Sequence, residues 1–400
     1  MPKYTYKVKT RDGKTLTGEI DSSSKDMAIA KLKEKGYFIV GPLKEKSKEM
    51  TFFKKKVKTS EVSIFARQFA TMIGSGVNLV RCLNIMEDQV ENPAFREIVI
   101  QVRNDVESGS TFSSALGRHP LVFSVLFCDL VRAGEAGGIL DQILERLANY
   151  LESSEQLKAK VKGALTYPAV VFSVAILVVI FLITFVLPNF QQIFEGMGDA
   201  TLPLPTRILL GLSSFFQKYF IIIIIGIGFG IWGVKKFFDT KQGRRLLDTY
   251  SLVLPGIGNL LRKVAVSKFT RTLGTLISAG VPILQALEVT ANTAGNVIIT
   301  EAVLKTRVSI KEGESISEPL KQSAVFPPMV IQMIAVGEET GELDVMLSKV
   351  ADFYDQEVDT AVKGLTSIIE PIVIVFMGVV IGGIVLAIFM PMLEMINQAG

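Results

Sequence analysis

Histidine and cysteine are nearly absent from this chain: one His and two Cys in 400 residues. A structural zinc centre needs about four such ligands at short spacings, and neither Cys-x-x-Cys nor H-E-x-x-H occurs. No other metal-ligand spacing is present, so no metal and no cofactor is expected. A Walker A loop and a G-x-S-x-G elbow are missing too, which removes the usual phosphate cradle and the usual serine nucleophile. The single histidine, His119, precedes Pro120 and reads as part of a loop. Cys82 and Cys128 fall in a part read as soluble and cytoplasmic, where a reduced pair is the default. Net positive charge is small, +4, and no basic stripe carries interleaved aromatics, so nucleic acid is not expected as a partner. The N-terminus is polar and lacks an apolar core segment, so no secretory leader is expected.

What the chain does have is long runs without charge. Its mean hydropathy of +0.40 coexists with 20% charged residues, which describes soluble parts joined to strongly apolar spans. From Ala169 to Leu187 only Ser173 and Thr184 interrupt the apolar pattern, and Ile372 to Met390 reads likewise. About twenty residues at ~1.5 Å each cross a hydrocarbon core of ~30 Å. An amphipathic helix leads into the first run: Leu140, Ile143, Leu144, Leu147 and Leu151 recur at helical spacing. One near-continuous helix is therefore predicted to leave a soluble bundle and enter a membrane. No charge interrupts the spans, so nothing supports an ion or proton relay through them.

The pattern is written twice. An offset of 204 places Phe65 on Phe269, Arg67 on Arg271, Gly76 on Gly280 and Gly109 on Gly313. After a one-residue slip, an offset of 203 places Gly134 on Gly337, Glu135 on Glu338, Gly138 on Gly341, Asp141 on Asp344, Pro168 on Pro371 and Pro188 on Pro391. This is a duplicated domain-plus-span. Two like copies should be oriented alike, so the chain must return once between them, and Tyr219–Val234 is apolar enough to do so. Lysines and arginines cluster before the first span and after the return, while the segment between carries only Arg207. That bias puts the N-terminus inside and the C-terminus outside.

The expected fold is mainly α, a polytopic membrane protein with two six-helix cytoplasmic bundles, three transmembrane helices and a small N-terminal α/β module. The boundaries read as 1–43 for the module and 44–59 for a basic linker. The first bundle is 60–167 and the first span 168–188. An outer segment covers 189–217, the return span 218–238 and a linker 239–262. The second bundle is 263–370, the last span 371–391 and the tail 392–400. In the module, Tyr4, Tyr6 and Val8 alternate as in a strand, Asp12-Gly13 turns it, and Ser23 or Ser24 caps a helix closed by Gly36. The linker reads as a solvated tether, with contact to an anionic leaflet as the alternative. Within the first bundle Pro93 is expected to close the second helix, and the fifth to stop before Gly134.

Two sets of residues stand out. Glu135 and Asp141 in one repeat, and Glu338, Glu339, Glu342 and Asp344 in the other, surround a glycine turn. They read as a helix junction, with an acidic surface for a basic partner or an adventitious divalent-cation site as the alternatives. Pro168 and Pro371 lie where each long helix meets the bilayer, where a missing backbone donor favours a kink and a hinge.

Together the segments YTYKVKTRDGKTLTGEI, FARQFATMIGSGV with FTRTLGTLISAGV, GEAGGILD with GEETGELD, KGALTYP and FEGMGDATLPLPTRILL are similar to the type II secretion F protein family, over almost the whole chain. That family includes the inner-membrane platform protein of type IV pilus assembly. The resemblance implies a non-enzymatic homo-oligomeric scaffold in a bacterial inner membrane. It implies partners: a separate cytoplasmic hexameric ATPase, pilin-like or pseudopilin subunits and other inner-membrane assembly proteins. The pilus is preferred over the secretion pseudopilus. A secondary transporter would need more spans and polar midplane groups, and a membrane-tethered enzyme would need a site that is not found.

Overall fold

The computed structural model describes residues 3–9, 15–21, 27, 29, 38–39, 44–45, 56–186, 188–189, 203–254, 256–323 and 325–399. The chain divides into two compact units: residues 1–57 with 91–97, and residues 58–90 with 98–400.

In the first unit, β1 (Lys3–Lys9) and β2 (Thr15–Asp21) pair antiparallel, with Tyr4 opposite Ile20 and Val8 opposite Leu16. The alternation of Tyr4, Tyr6 and Val8 thus lies in a paired strand. β3 (Phe38–Ile39) and β4 (Lys44–Glu45) add to β1. β4 occupies the start of the stretch read as linker. The expected Asp12-Gly13 turn, the helix after Ser24 (apart from Met27 and Ile29, both helical) and most of the lysine-rich linker lie outside the described residues.

The remainder is helical. In chain order come α1 (Thr59–Gly74), α2 (Leu79–Gln89), α3 (Pro93–Glu107), α4 (Phe112–Gly117), α5 (Val125–Gly137) and α6 (Leu140–Phe181). Side chains set several of the starts. Asn78 Oδ1 accepts from Val80 N at 3.0 Å, Thr111 Oγ1 from Ser114 N at 3.3 Å, and Ser124 Oγ from Phe127 N at 3.3 Å. Pro93 opens α3 rather than closing α2: its missing donor is harmless in a first turn. α5 also runs past Gly134 to Gly137, because the left-handed residue that ends it is Gly138, at φ 67°. Phe65 and Phe69 of α1 are fully buried and stack at 5.4 Å, and Phe69 meets Phe112 at 5.2 Å.

The second copy repeats the order: α9 (Ile257–Ser278), α10 (Ile283–Thr293), α11 (Val297–Lys311), α12 (Ser317–Gln322), α13 (Pro328–Thr340) and α14 (Leu343–Ala399). Phe269, the partner of Phe65 in the duplication, is fully buried against Phe326 at 4.7 Å. Between the copies stand α7 (Leu204–Phe238) and α8 (Lys241–Val253). α7 begins well inside the stretch read as an outer segment. Residues 190–202 of that stretch lie outside the described residues.

The two long helices carry the apolar runs. α6 continues through Pro168 and ends in a π turn, Leu182–Val186; α14 continues through Pro371 and Pro391. Both are long and apolar enough to cross a membrane. They run side by side and parallel. Leu157 clusters with Val358 and Val362, Lys160 bonds Asp359 at 2.8 Å, Phe172 meets Phe376 at 5.8 Å, and Ile183 clusters with Ile384 and Ile388. Every one of these contacts joins positions close to the 203-residue offset, so equivalent levels of the two copies face each other.

Candidate functional site

The paired GEAGGILD and GEETGELD segments form the turns that feed the long helices. Gly138 (φ 67°) and Gly341 (φ 76°) are left-handed, which ends α5 and α13 and aims the chain into α6 and α14. Gly134 and Gly337 serve a different need. A Cβ on Gly134 would lie 3.0 Å from Ile143 Cβ, and one on Gly337 2.9 Å from Leu343 Cα, so only glycine lets each helix pair approach this closely.

Between these glycines stands a glutamate with an internal task. Glu135 accepts from the backbone N–H groups of Phe112 and Ser113 at 2.6 and 3.0 Å, holding the start of α4. Glu338 does the same for the start of α12, with both oxygens 3.0 Å from Ile316 N. The acidic residues of the turns thus divide into two roles: Glu135 and Glu338 tie the turn to a neighbouring helix, whereas Asp141, Glu339 and Glu342 are exposed. Asp344 is half-buried and lines a cleft of about 560 Å³ between the repeats, with Arg146, Tyr150, Arg271, Thr275 and Lys349. Among the described residues no group of three or more His, Cys, Asp or Glu could hold a metal ion.

Two arginines not singled out by the motif reading clamp the first helix of each repeat to its long helix. Arg67 bonds Glu152 at 2.6 Å and Glu145 at 2.7 Å. Arg271 bonds Asp355 at 2.5 Å and Asp352 at 2.8 Å. The signal was present in the duplication: the alignment that pairs the arginines also brings Glu152 onto Asp355, acid on acid. The hydrogen bond from Arg67 holds the Glu152 carboxyl below the usual range, against an opposing effect of burial. Burial alone would lower the Arg271 guanidinium, but its bonds to Asp355 and Asp352 leave it raised. Across the repeats, Tyr150 and Thr272 hydroxyls lie 3.2 Å apart, and Arg146 donates to Ser278 O. Burial raises the Tyr150 phenol and, more simply, both cysteine thiols, which are free and buried. Burial likewise lowers His119.

Pro168 and Pro371 sit inside unbroken helices. A cavity of about 70 Å³ separates the helices at this level, lined by Tyr167, Pro168, Val171, Thr366, Ile369 and Glu370 among others. Beyond it the long helices are joined through α7 by two buried hydroxyls: Ser213 donates to Ile183 O and Thr206 to Ala387 O, each at 2.6 Å. Ile183 lies in the π turn.

Comparison with known proteins agrees with the duplication. The profile of the type II secretion system protein F family matches residues 65–188 and again 269–391, and that of its N-terminal domain matches residues 1–41. The chain is 43% identical to the type IV pilus assembly protein PilC of Myxococcus xanthus, covering 98% of this chain and 94% of that one. It is 43% identical to PilC of Thermus thermophilus, covering 99% of each. The type II secretion system protein F of Vibrio cholerae is 34% identical, again over 99% of each chain.

Proposed function

The chain belongs to the type II secretion system protein F family, and from that premise we propose that it is the inner-membrane platform of a type IV pilus assembly machine. The observation that carries this reading is end-to-end similarity to proteins named for pilus assembly, at 43% against 34% for the secretion protein. The platform is a scaffold rather than an enzyme. A cytoplasmic hexameric ATPase supplies work, and the platform passes it to pilin subunits as they leave the membrane. Its N-terminal α/β module and the exposed acids Asp141, Glu339 and Glu342 face the cytoplasmic partners.

The topology is three spans, N-terminus in and C-terminus out. The parallel course of α6 and α14 supports a single return crossing between them. So does α7, which meets Ala387 near its start, while Gly256, beyond the α8 that follows it, sits against Leu365. A reporter active only outside the cytoplasm should work when fused near residues 189–198 or at the C-terminus, and stay silent after Lys241. Activity at Lys241 removes the three-span arrangement. Deleting the gene should abolish surface filaments and spare protein export; the reverse result makes this the platform of a secretion system.

A further inference from the structure

Unlike the bundle-facing part of α6, α8 does not bury its apolar face. Asp248 anchors the helix to the protein: it is buried, and its Oδ2 accepts from Val297 N at 2.7 Å at the start of α11; Ser251 and Leu252 are half-buried beside it, and the exposed Arg245 meets Glu301 at 3.3 Å. Its apolar face is turned outward. Leu246, Leu247, Tyr250, Val253 and Leu254 follow helical spacing and are all exposed, Tyr250 to 67% and Val253 to 75%.

Both ends of α8 are held at the level where the apolar runs begin. Only Asp239 and Thr240 separate it from α7, a reach of no more than ~11 Å. The end of α7 carries interfacial residues, with Lys236 Nζ 4.9 Å from the Trp232 ring. After α8, a Cβ on Gly256 would lie 3.5 Å from Leu365 Cδ1. Leu365 stands ~9 Å of helix rise before Pro371. A helix fixed at this height at both ends runs along the boundary rather than away from it.

We infer that α8 lies on the lipid surface, with Leu246, Leu247, Tyr250, Val253 and Leu254 in the boundary between headgroups and acyl chains. The inference rests on the reading of α7 as a span. Lys235, Lys241 and Arg244 are exposed at its rim, and Lys241 and Arg244 have no acidic partner among the described residues. These cations suit an anionic leaflet. They disfavour a second copy, because a twofold contact through this face would set the same positive charges against each other.

The chain has one tryptophan, Trp232, so fluorescence separates the two ideas. The full-length protein is reconstituted in phosphatidylethanolamine–phosphatidylglycerol vesicles with bromines high on the acyl chains. Trp232 should be quenched in the unaltered protein if α7 ends at the interface. In a Trp232→Phe background, Tyr250→Trp and, separately, Val253→Trp should each lose about half their emission, as expected of side chains ~5–10 Å into the boundary. Quenching of Trp232 with none at either new position overturns the inference and leaves α7 intact. Absence of quenching at all three overturns both. Blue-shifted emission at 250 and 253 that resists bromine and disappears on dilution into single-copy nanodiscs assigns the face to a second copy, which also overturns it.

Discussion

Glu135 and Glu338 were legible as a repeated pair, but their role was not. A glutamate three residues ahead of a left-handed glycine looks the same whether it faces a partner or a neighbouring helix, and the bonds to Phe112 N, Ser113 N and Ile316 N join residues more than twenty positions apart. Replacing either glutamate with alanine removes a cap and should cost about 1 kcal/mol of stability, read as a lower melting temperature in detergent. The Arg67 clamp makes a pH-dependent contribution. A carboxyl lowered in the folded state adds stability above its unfolded value, near ~4.3, and loses it as pH falls through the lower folded value. Melting temperature should therefore fall on acidification below about pH 4, and Glu152→Gln should make that limb shallower. The effect is modest, because the pair is partly open to water.

At the scale of elements, apolar periodicity located the helices well. Spacing puts Leu140, Ile143, Leu144, Leu147 and Leu151 on one face; Leu140 is half-buried and the other four are buried in α6. Proline and glycine were harder to read, since each has two opposite uses. Pro93 begins a helix, Pro168 and Pro371 are absorbed within helices, and Gly134 is a packing glycine rather than a stop. Only the three-dimensional neighbour distinguishes these uses. Gly337→Ala sets a Cβ against backbone and should destabilise by about 1–3 kcal/mol, whereas an alanine at Gly211, which has open space around it, should have little effect. For the prolines we expect the double Pro168→Ala, Pro371→Ala variant to keep or raise thermal stability while lowering filament yield. Lost stability with normal filaments would make them packing residues rather than hinges. The void beside Pro168 leaves room for such bending.

For the molecule as a whole, the duplication announced two like halves, and the structure adds that they are coupled level by level along α6 and α14. Internal use of Glu338 narrows the docking test. Glu339→Lys with Glu342→Lys, leaving Glu338 in place, should weaken salt-sensitive ATPase binding without changing melting temperature. Unchanged binding, with loss only on removal of residues 1–43, would put the contact in the N-terminal module. The buried hydroxyls of Thr206 and Ser213 bear on how such a load would travel. Each hydroxyl ties α7 to one of the long helices, so separating α6 from α14 at that end strips at least one carbonyl of its donor, which costs several kcal/mol within a bilayer core. At the other end the polar tie is Lys160 to Asp359, open to water and worth about 0–1 kcal/mol, beside an apolar cluster of Leu157, Val358 and Val362 that has no directional bond to break. Two rods riveted by hydrogen bonds at one tip and held at the other by apolar contacts that can slide behave as tongs: they open at the handles. Spin labels at Ala159 and Thr360 should move apart when the ATPase binds, while labels at Ile176 and Val379 keep their distance.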